Sequence, residues 1–115
     1  MLNSWAAFAV EADGKVAMAA SYDCDNSVWW LGPRDRGRSL HMGAEAGAGI
    51  RIARGRIAFE RRTSCTTSTV QLAVVDIRGR RIFALKPSAS ASPFDFDGRR
   101  LAWVASDGIH VARVR

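Results

Sequence analysis

Two histidines, His41 and His110, and two cysteines, Cys24 and Cys65, are the side chains of this 115-residue chain best suited to nucleophilic, acid–base or metal chemistry. A nucleophilic relay needs a Ser or Cys beside a base that is itself oriented by an acid. Both histidines fall inside strand patterns, where an imidazole facing a neighbouring layer or solvent is ordinary, so no catalytic residue is assigned. Asp95 and Asp97 could act as paired carboxylates on a metal or a proton. Asp97, however, opens an Asp-Gly turn, and Asp95 alternates with Phe94 and Phe96 across a strand. Cys24 and Cys65 lie 41 residues apart in equivalent segments, YDCDN and TSCTTS. A Cys24–Cys65 disulfide needs α-carbons within about 7 Å, and matching loops on neighbouring blades are usually farther apart, so the alternatives are free thiols or partners elsewhere in a fuller ring. Two cysteines without adjacent histidine make a poor zinc set, and neither a metal nor a cofactor is expected.

Charge is the other candidate for function. The chain has 17 basic and 11 acidic residues, a formal charge of +6 and a pI near 10.6. Such an excess can capture phosphate backbones. Only Lys15 and Lys86 are lysines, however, and the abundance of Ala, Gly and Arg matches a GC-rich coding bias that needs no selection for binding. Apolar runs such as WAAFAV at 5–10 are far shorter than the roughly 20 residues of a membrane-spanning helix. The start, MLNSWAAFAVEADG, has no early Lys or Arg and turns acidic at Glu11, so no secretory leader is read there.

The elements that must position these residues repeat. FDFDGRRLAWV (94–104) overlays IRIARGRIAFE (50–60) at an offset of 44, pairing Ile50 with Phe94, Ile52 with Phe96, Ile57 with Leu101 and Phe59 with Trp103. Downstream, Leu72, Ala73 and Val75 meet Val111, Ala112 and Val114 after a shorter loop. The first third joins at offsets of 41 and 42, matching Gly14 to Gly55, Val16 to Ile57, Met18 to Phe59, Val28 to Val70, Trp30 to Leu72 and Leu40 to Ile82. Units of about 42 residues fall in the window of four-stranded propeller blades. Apolar runs of four to eight residues are cut by turn signals at Asp13-Gly14, Arg54-Gly55, Asp97-Gly98 and Asp107-Gly108.

The predicted strands are 6–12, 15–21, 27–32 and 39–43 in the first unit, 49–54, 56–63, 69–77 and 80–86 in the second, and 93–97, 99–105 and 108–114 in the third. A helix through 6–20 is opposed by Gly14 and by the β-branched and aromatic residues beyond it. The expected fold is all-β: a partial β-propeller of about three four-stranded antiparallel blades, the last incomplete, with no substantial helix. Its blades cover about 5–48, 49–92 and 93–115, joined through GAEAGAG and PSASASP, in one repeat array over 1–115. Trp103 stands where Phe59 stands one unit earlier, so packing between blades explains it better than a ligand groove. Trp5, Trp29 and Trp30 are the other candidates for such a groove, and adjacent Trp29 and Trp30 must face opposite ways, which can leave one exposed.

DFDGRRLAWV resembles the TolB-like, WD-repeat-like propeller units, whose blades carry an aromatic, an Asp-Gly turn, a basic residue and an apolar run ending in an aromatic; EADGKVAMA and IARGRIAFE are weaker copies, without the Ser-Pro that precedes Asp-Gly in the family. The resemblance implies a non-catalytic protein-interaction or scaffold role within a larger ring. The alternative it implies is a fragment of the propeller domain of a larger exported hydrolase or peptidase. A protein partner and possible exported bacterial origin follow from the resemblance alone.

Two physical expectations complete the reading. Closed propellers use roughly four to eight blades, so this array is either part of a longer ring, half of a ring built by self-association, or an open arc with exposed apolar flanks, Val111 and Val114 lying on an unpaired edge. The turns joining strands one to two and three to four share one propeller face. That places Lys15, Arg34, Arg36, Arg38, Arg54, Arg56, Arg78, Arg80, Arg81, Arg99 and Arg100 together, against Asp13, Asp35, Asp76 and Asp97. Such a face could attract an acidic partner. Solvated hairpin charge is the plainer role, and the lack of aromatics for base stacking in these turns counts against nucleic acid.

Overall fold

The computed structural model describes residues 4–22, 25–32, 38–40, 49–62, 70–85 and 93–115, with the backbone alone for 4–6, 20–22, 25–27, 29 and 38–40. These residues form eleven strands and no helix. The first sheet holds β1 (Ser4–Val10), β2 (Val16–Tyr22), β3 (Asp25–Leu31) and β4 (Arg38–Leu40) in that order. The second holds β5 (Ile50–Ala53), β6 (Arg56–Arg62), β7 (Val70–Asp76) and β8 (Arg81–Ala84). The third holds β9 (Phe94–Phe96), β10 (Arg100–Ala105) and β11 (Gly108–Arg113), with β11 at its edge. Every pairing is antiparallel between sequence neighbours, which is the meander of a propeller blade. The array is therefore all-β, three antiparallel meander sheets compatible with propeller blades, the third one strand short among the described residues.

Strand parity decides how the blades stack. In the second blade Ile50, Ile52, Ile57, Phe59 and Val75 point to one side and join Ala17, Ala19 and Val28 of the first blade in a buried cluster, with Ala7, Ala9 and Trp30 packed against it. From the other side, Ala58, Leu72 and Val74 meet Phe94, Phe96 and Leu101 of the third blade, together with Val114. Because both faces of the middle blade are covered, β6 and β7 carry near-continuous apolar runs instead of a strict alternation. Phe59, Ile57, Leu72 and Leu101 are fully buried, each contributing roughly 1.5–3 kcal/mol of transfer free energy.

The outer blades have one covered face each. On the first, Ala7 and Ala9 turn inward while Phe8 and Val10 are 64% and 69% exposed. On the third, Ile109 and Val111 are 77% and 64% exposed, beside Val104. Val111 thus occupies the expected open edge strand. Val114, expected beside it, instead turns in, donating its N–H to Arg99 O at 2.6 Å and packing in the inter-blade core.

The first hairpin of each blade uses different turn chemistry. Between β5 and β6 the Ala53–Arg56 pairing leaves a two-residue loop, Arg54-Gly55, with φ of 54° and 71°. This left-handed pair matches the right-handed twist of the strands, and Arg54 fills a slot usually taken by Asn, Asp or Gly. Between β9 and β10 a longer loop is closed by Asp97, whose Oδ1 accepts the N–H groups of Arg99 and Arg100 at 2.8 and 2.6 Å. Between β1 and β2, Glu11 and Lys15 close the loop through their backbones, and Lys15 Nζ is hydrogen-bonded to Asp13.

Candidate functional site

The first-hairpin tips of successive blades clasp one another. Glu11 Oε1 accepts the N–H of Gly55 at 3.2 Å, linking the first tip to the second. Arg56 Nη1 donates to Gly98 O at 3.1 Å and to Val114 O at 3.3 Å, linking the second to the third. Arg54 lies along Gly98 so closely that a Cβ there would stand 2.7 Å from its Cγ and Cδ. Only glycine permits that approach, and at φ +97° only glycine adopts the backbone without strain.

Beside this clasp lies a cleft of about 520 Å³ lined by Arg54, Arg56, Gly98, Arg99, Arg113, Val114 and Arg115. A second cleft of about 420 Å³ shares Arg54, Arg99 and Arg113 and adds Asp97, Arg100 and Val111. Six arginines line the two clefts, five of them the larger one, and they come from three segments: the β5–β6 turn, the β9–β10 turn and the chain at the end of β11. Among the described residues, no carboxylate pairs with the guanidinium of Arg54, Arg99, Arg113 or Arg115. Asp97 is engaged within its own turn, also accepting from Arg100 Nε at 3.2 Å. The N–H groups of Arg100 and Arg99 hold its carboxyl down to about 2.

The expected arginine face is thus partly assembled and partly occupied. Arg54, Arg56 and Arg99 meet in the larger cleft, and Arg100 lines the second. Arg113 and Arg115 were not expected there; their position at the end of the third strand, which parity puts at the same end as the first hairpin, was the available signal. Arg78, Arg80 and Arg81 belong to the separate β7–β8 turn. Asp76 Oδ1 accepts the N–H groups of Arg78 and Arg80, each at 2.9 Å, and Arg80 Nε lies 3.6 Å from Asp76. Partial burial pushes the Asp76 carboxyl up, but the Arg80 and Arg78 N–H groups outweigh it and the net shift is downward. Arg34 and Arg36 lie outside the described residues, and Arg38 is placed by its backbone alone at the start of β4.

The other candidates separate. Cys24, Cys65 and His41 lie outside the described residues. Asp95 Oδ1 accepts from Phe96 N–H at 2.9 Å and from Arg51 Nε of the preceding blade at 3.3 Å, while Asp97 serves its turn, so the two carboxylates do not act as a pair. His110 is half-buried, stacked on Trp103 with ring centres 5.5 Å apart, and its Nε2 is 2.6 Å from Asp107 Oδ1. That hydrogen bond lowers the Asp107 carboxyl below its ordinary value. Among the described residues no hydroxyl or thiol is hydrogen-bonded to His110. Trp103 packs against the inter-blade core, as its repeat position required.

Fold and site together define a class: an all-β array of three stacked antiparallel sheets, compatible with propeller blades, with an arginine-lined cleft at its hairpin end. No protein-family model, curated protein or solved structure matches the chain. No described helix is long and apolar enough to cross a membrane.

Proposed function

We propose that the chain is a non-catalytic protein-interaction module that works within a larger ring of blades, of the TolB-like, WD-repeat-like kind its turn motifs resemble. The observation that carries this reading is the chemistry of the two outermost faces. Phe8 and Val10 on the first blade stand at the repeat positions of Ile50 and Ile52, which the second blade buries against its predecessor. Val104, Ile109 and Val111 stand on the side of the third blade that, in the second, is buried against its successor. Each end is therefore shaped and composed as half of a blade–blade contact, and exposed apolar faces of this kind mark interaction surfaces. A second copy supplies both missing halves and brings the blade count to about six, within the range of closed rings.

Light scattering on the chromatographed protein tests it. The chain self-associates at micromolar concentration, and Ile109→Asp with Val111→Asp yields a monomer with an unchanged circular-dichroism spectrum. A wild-type monomer with a sharp cooperative melt removes the reading. The same uncovered faces also fit a second reading, in which the chain is part of the propeller domain of a larger exported hydrolase. Blades or a hydrolase module continuing in frame in the coding sequence would favour it.

A further inference from the structure

We propose that the arginine-lined cleft between the second and third blades is a binding site for a compact, multiply charged oxyanion of the oligophosphate class. This inference does not depend on ring formation. Arg54, Arg56, Arg99, Arg113 and Arg115 line the larger cleft, and among the described residues no acidic side chain does. Two carboxylates of the neighbouring hairpin tips have partners of their own: Asp97, which lines the second cleft, accepts the N–H groups of its own turn and Arg100 Nε, and Glu11 Oε1 accepts the Gly55 N–H while Oε2 lies 4.0 Å from Lys15 Nζ. Like charges gathered without a counter-charge repel, and an anion seated among them removes that repulsion.

Two further observations separate this cleft from ordinary solvated hairpin charge. Arg54 is the one non-glycine residue with positive φ among the described residues, in a turn position that favours Asn, Asp or Gly. Backbone strain of this kind persists only where the surroundings hold it, and here Gly98 leaves the space in which the Arg54 side chain lies toward the cleft. Arg56, in turn, is anchored by two carbonyl oxygens, Gly98 O and Val114 O, which fixes one guanidinium in the wall before any ligand arrives. Among the described residues the cationic groups lining the clefts are all arginine. Planar guanidinium forks approaching from three chain segments suit phosphoryl groups, whose several oxygens can each take a donor. Among the described residues no aromatic side chain lines either cleft, so a base meets nothing there to stack on, and a small oligophosphate fits better than a nucleic-acid strand.

Isothermal titration of the full chain with sodium tripolyphosphate, near neutral pH and in about 0.1 M salt, tests the site. The wild type gives saturable binding in the micromolar range that weakens several-fold when added salt shortens the Debye length from about 10 Å toward about 3 Å. Arg99→Gln with Arg113→Gln, both exposed and outside any described ion pair, lowers affinity at least about tenfold with an unchanged melting temperature, the scale of one charge-assisted hydrogen bond. Arg78→Gln with Arg81→Gln removes the same charge from the β7–β8 turn and leaves affinity within about twofold, since charges beyond a Debye length are largely screened. Absence of saturable binding, an equal loss in both double variants, or citrate binding as tightly as tripolyphosphate overturns the proposal. So does an oligothymidylate that binds more tightly and keeps its affinity in the Arg99→Gln, Arg113→Gln protein.

Discussion

Substituting Gly98 by alanine probes the clasp between the second and third blades, and its cost follows from two separable terms. At φ +97° a residue bearing a Cβ is strained by roughly 1–3 kcal/mol. The new Cβ also lies 2.7 Å from Arg54 Cγ and Cδ and 3.0 Å from Arg54 Cβ. Two of those atoms belong to the base of the side chain, so a change of rotamer at its tip does not relieve the crowding, and overpacking adds roughly 1–3 kcal/mol. Gly98→Ala is therefore expected to lower unfolding free energy by about 2–6 kcal/mol. In an Arg54→Gly background the steric term vanishes and only the backbone term remains. The double-mutant cycle then shows a coupling of about 1–3 kcal/mol between positions 54 and 98. Urea unfolding followed by tryptophan fluorescence reads it, because Trp30 and Trp103 pack against the two different inter-blade cores. If the two substitutions add to within about 0.5 kcal/mol, the close approach of Arg54 to Gly98 is not a feature of the folded chain.

Other outcomes follow from the same contacts. Asp97 has a folded-state value of about 2 against an ordinary 3.8, so its contribution to stability is complete above 3.8 and disappears as pH falls from there toward 2. Asp97→Asn should flatten that part of the urea-midpoint profile between pH 5 and about 2, since the amide oxygen still accepts the turn N–H groups but does not titrate. Phe59→Ala, which empties a fully buried position between the first two blades, should cost about 3–5 kcal/mol and abolish a cooperative thermal transition. Glu11→Ala removes the acceptor of the Gly55 N–H and should lower stability by about 1 kcal/mol, with amide hydrogen exchange at Gly55 accelerating more than at Gly79.

Most of the fold could be read from the residues because a blade repeats the same alternation of side chains over two hairpins. Each of the eleven expected strands has a counterpart. Boundaries are tightest in the third unit, where Asp97-Gly98 and Asp107-Gly108 mark the turns: 93–97, 99–105 and 108–114 become Phe94–Phe96, Arg100–Ala105 and Gly108–Arg113. They are loosest in the first, where 6–12 becomes Ser4–Val10. The alanines of WAAFAVEA give little contrast between inward and outward positions, so the register there is weakly marked. The cleft was less legible. Sequence placed Arg54, Arg56 and Arg99 on one face by strand direction, but the left-handed Arg54, the glycine that makes room for it and the carbonyls that anchor Arg56 depend on how neighbouring hairpins meet. Val114 shows the same limit, since an edge position in the pattern became a core residue through a backbone bond to Arg99.

The stack of blades has a direction. The first blade ends the array with the side that elsewhere receives a predecessor, and the third ends it with the side that elsewhere receives a successor, so the two termini of the stack are unlike surfaces. Association of copies through them is head-to-tail rather than two-fold symmetric at the contact. A head-to-tail contact closes when the accumulated rotation between blades returns to its start and otherwise continues as a filament. The angle at which Ala7, Ala9, Ile50 and Ile52 set one sheet against the next would therefore govern whether copies joined in this way close into a bounded particle or continue as an open polymer.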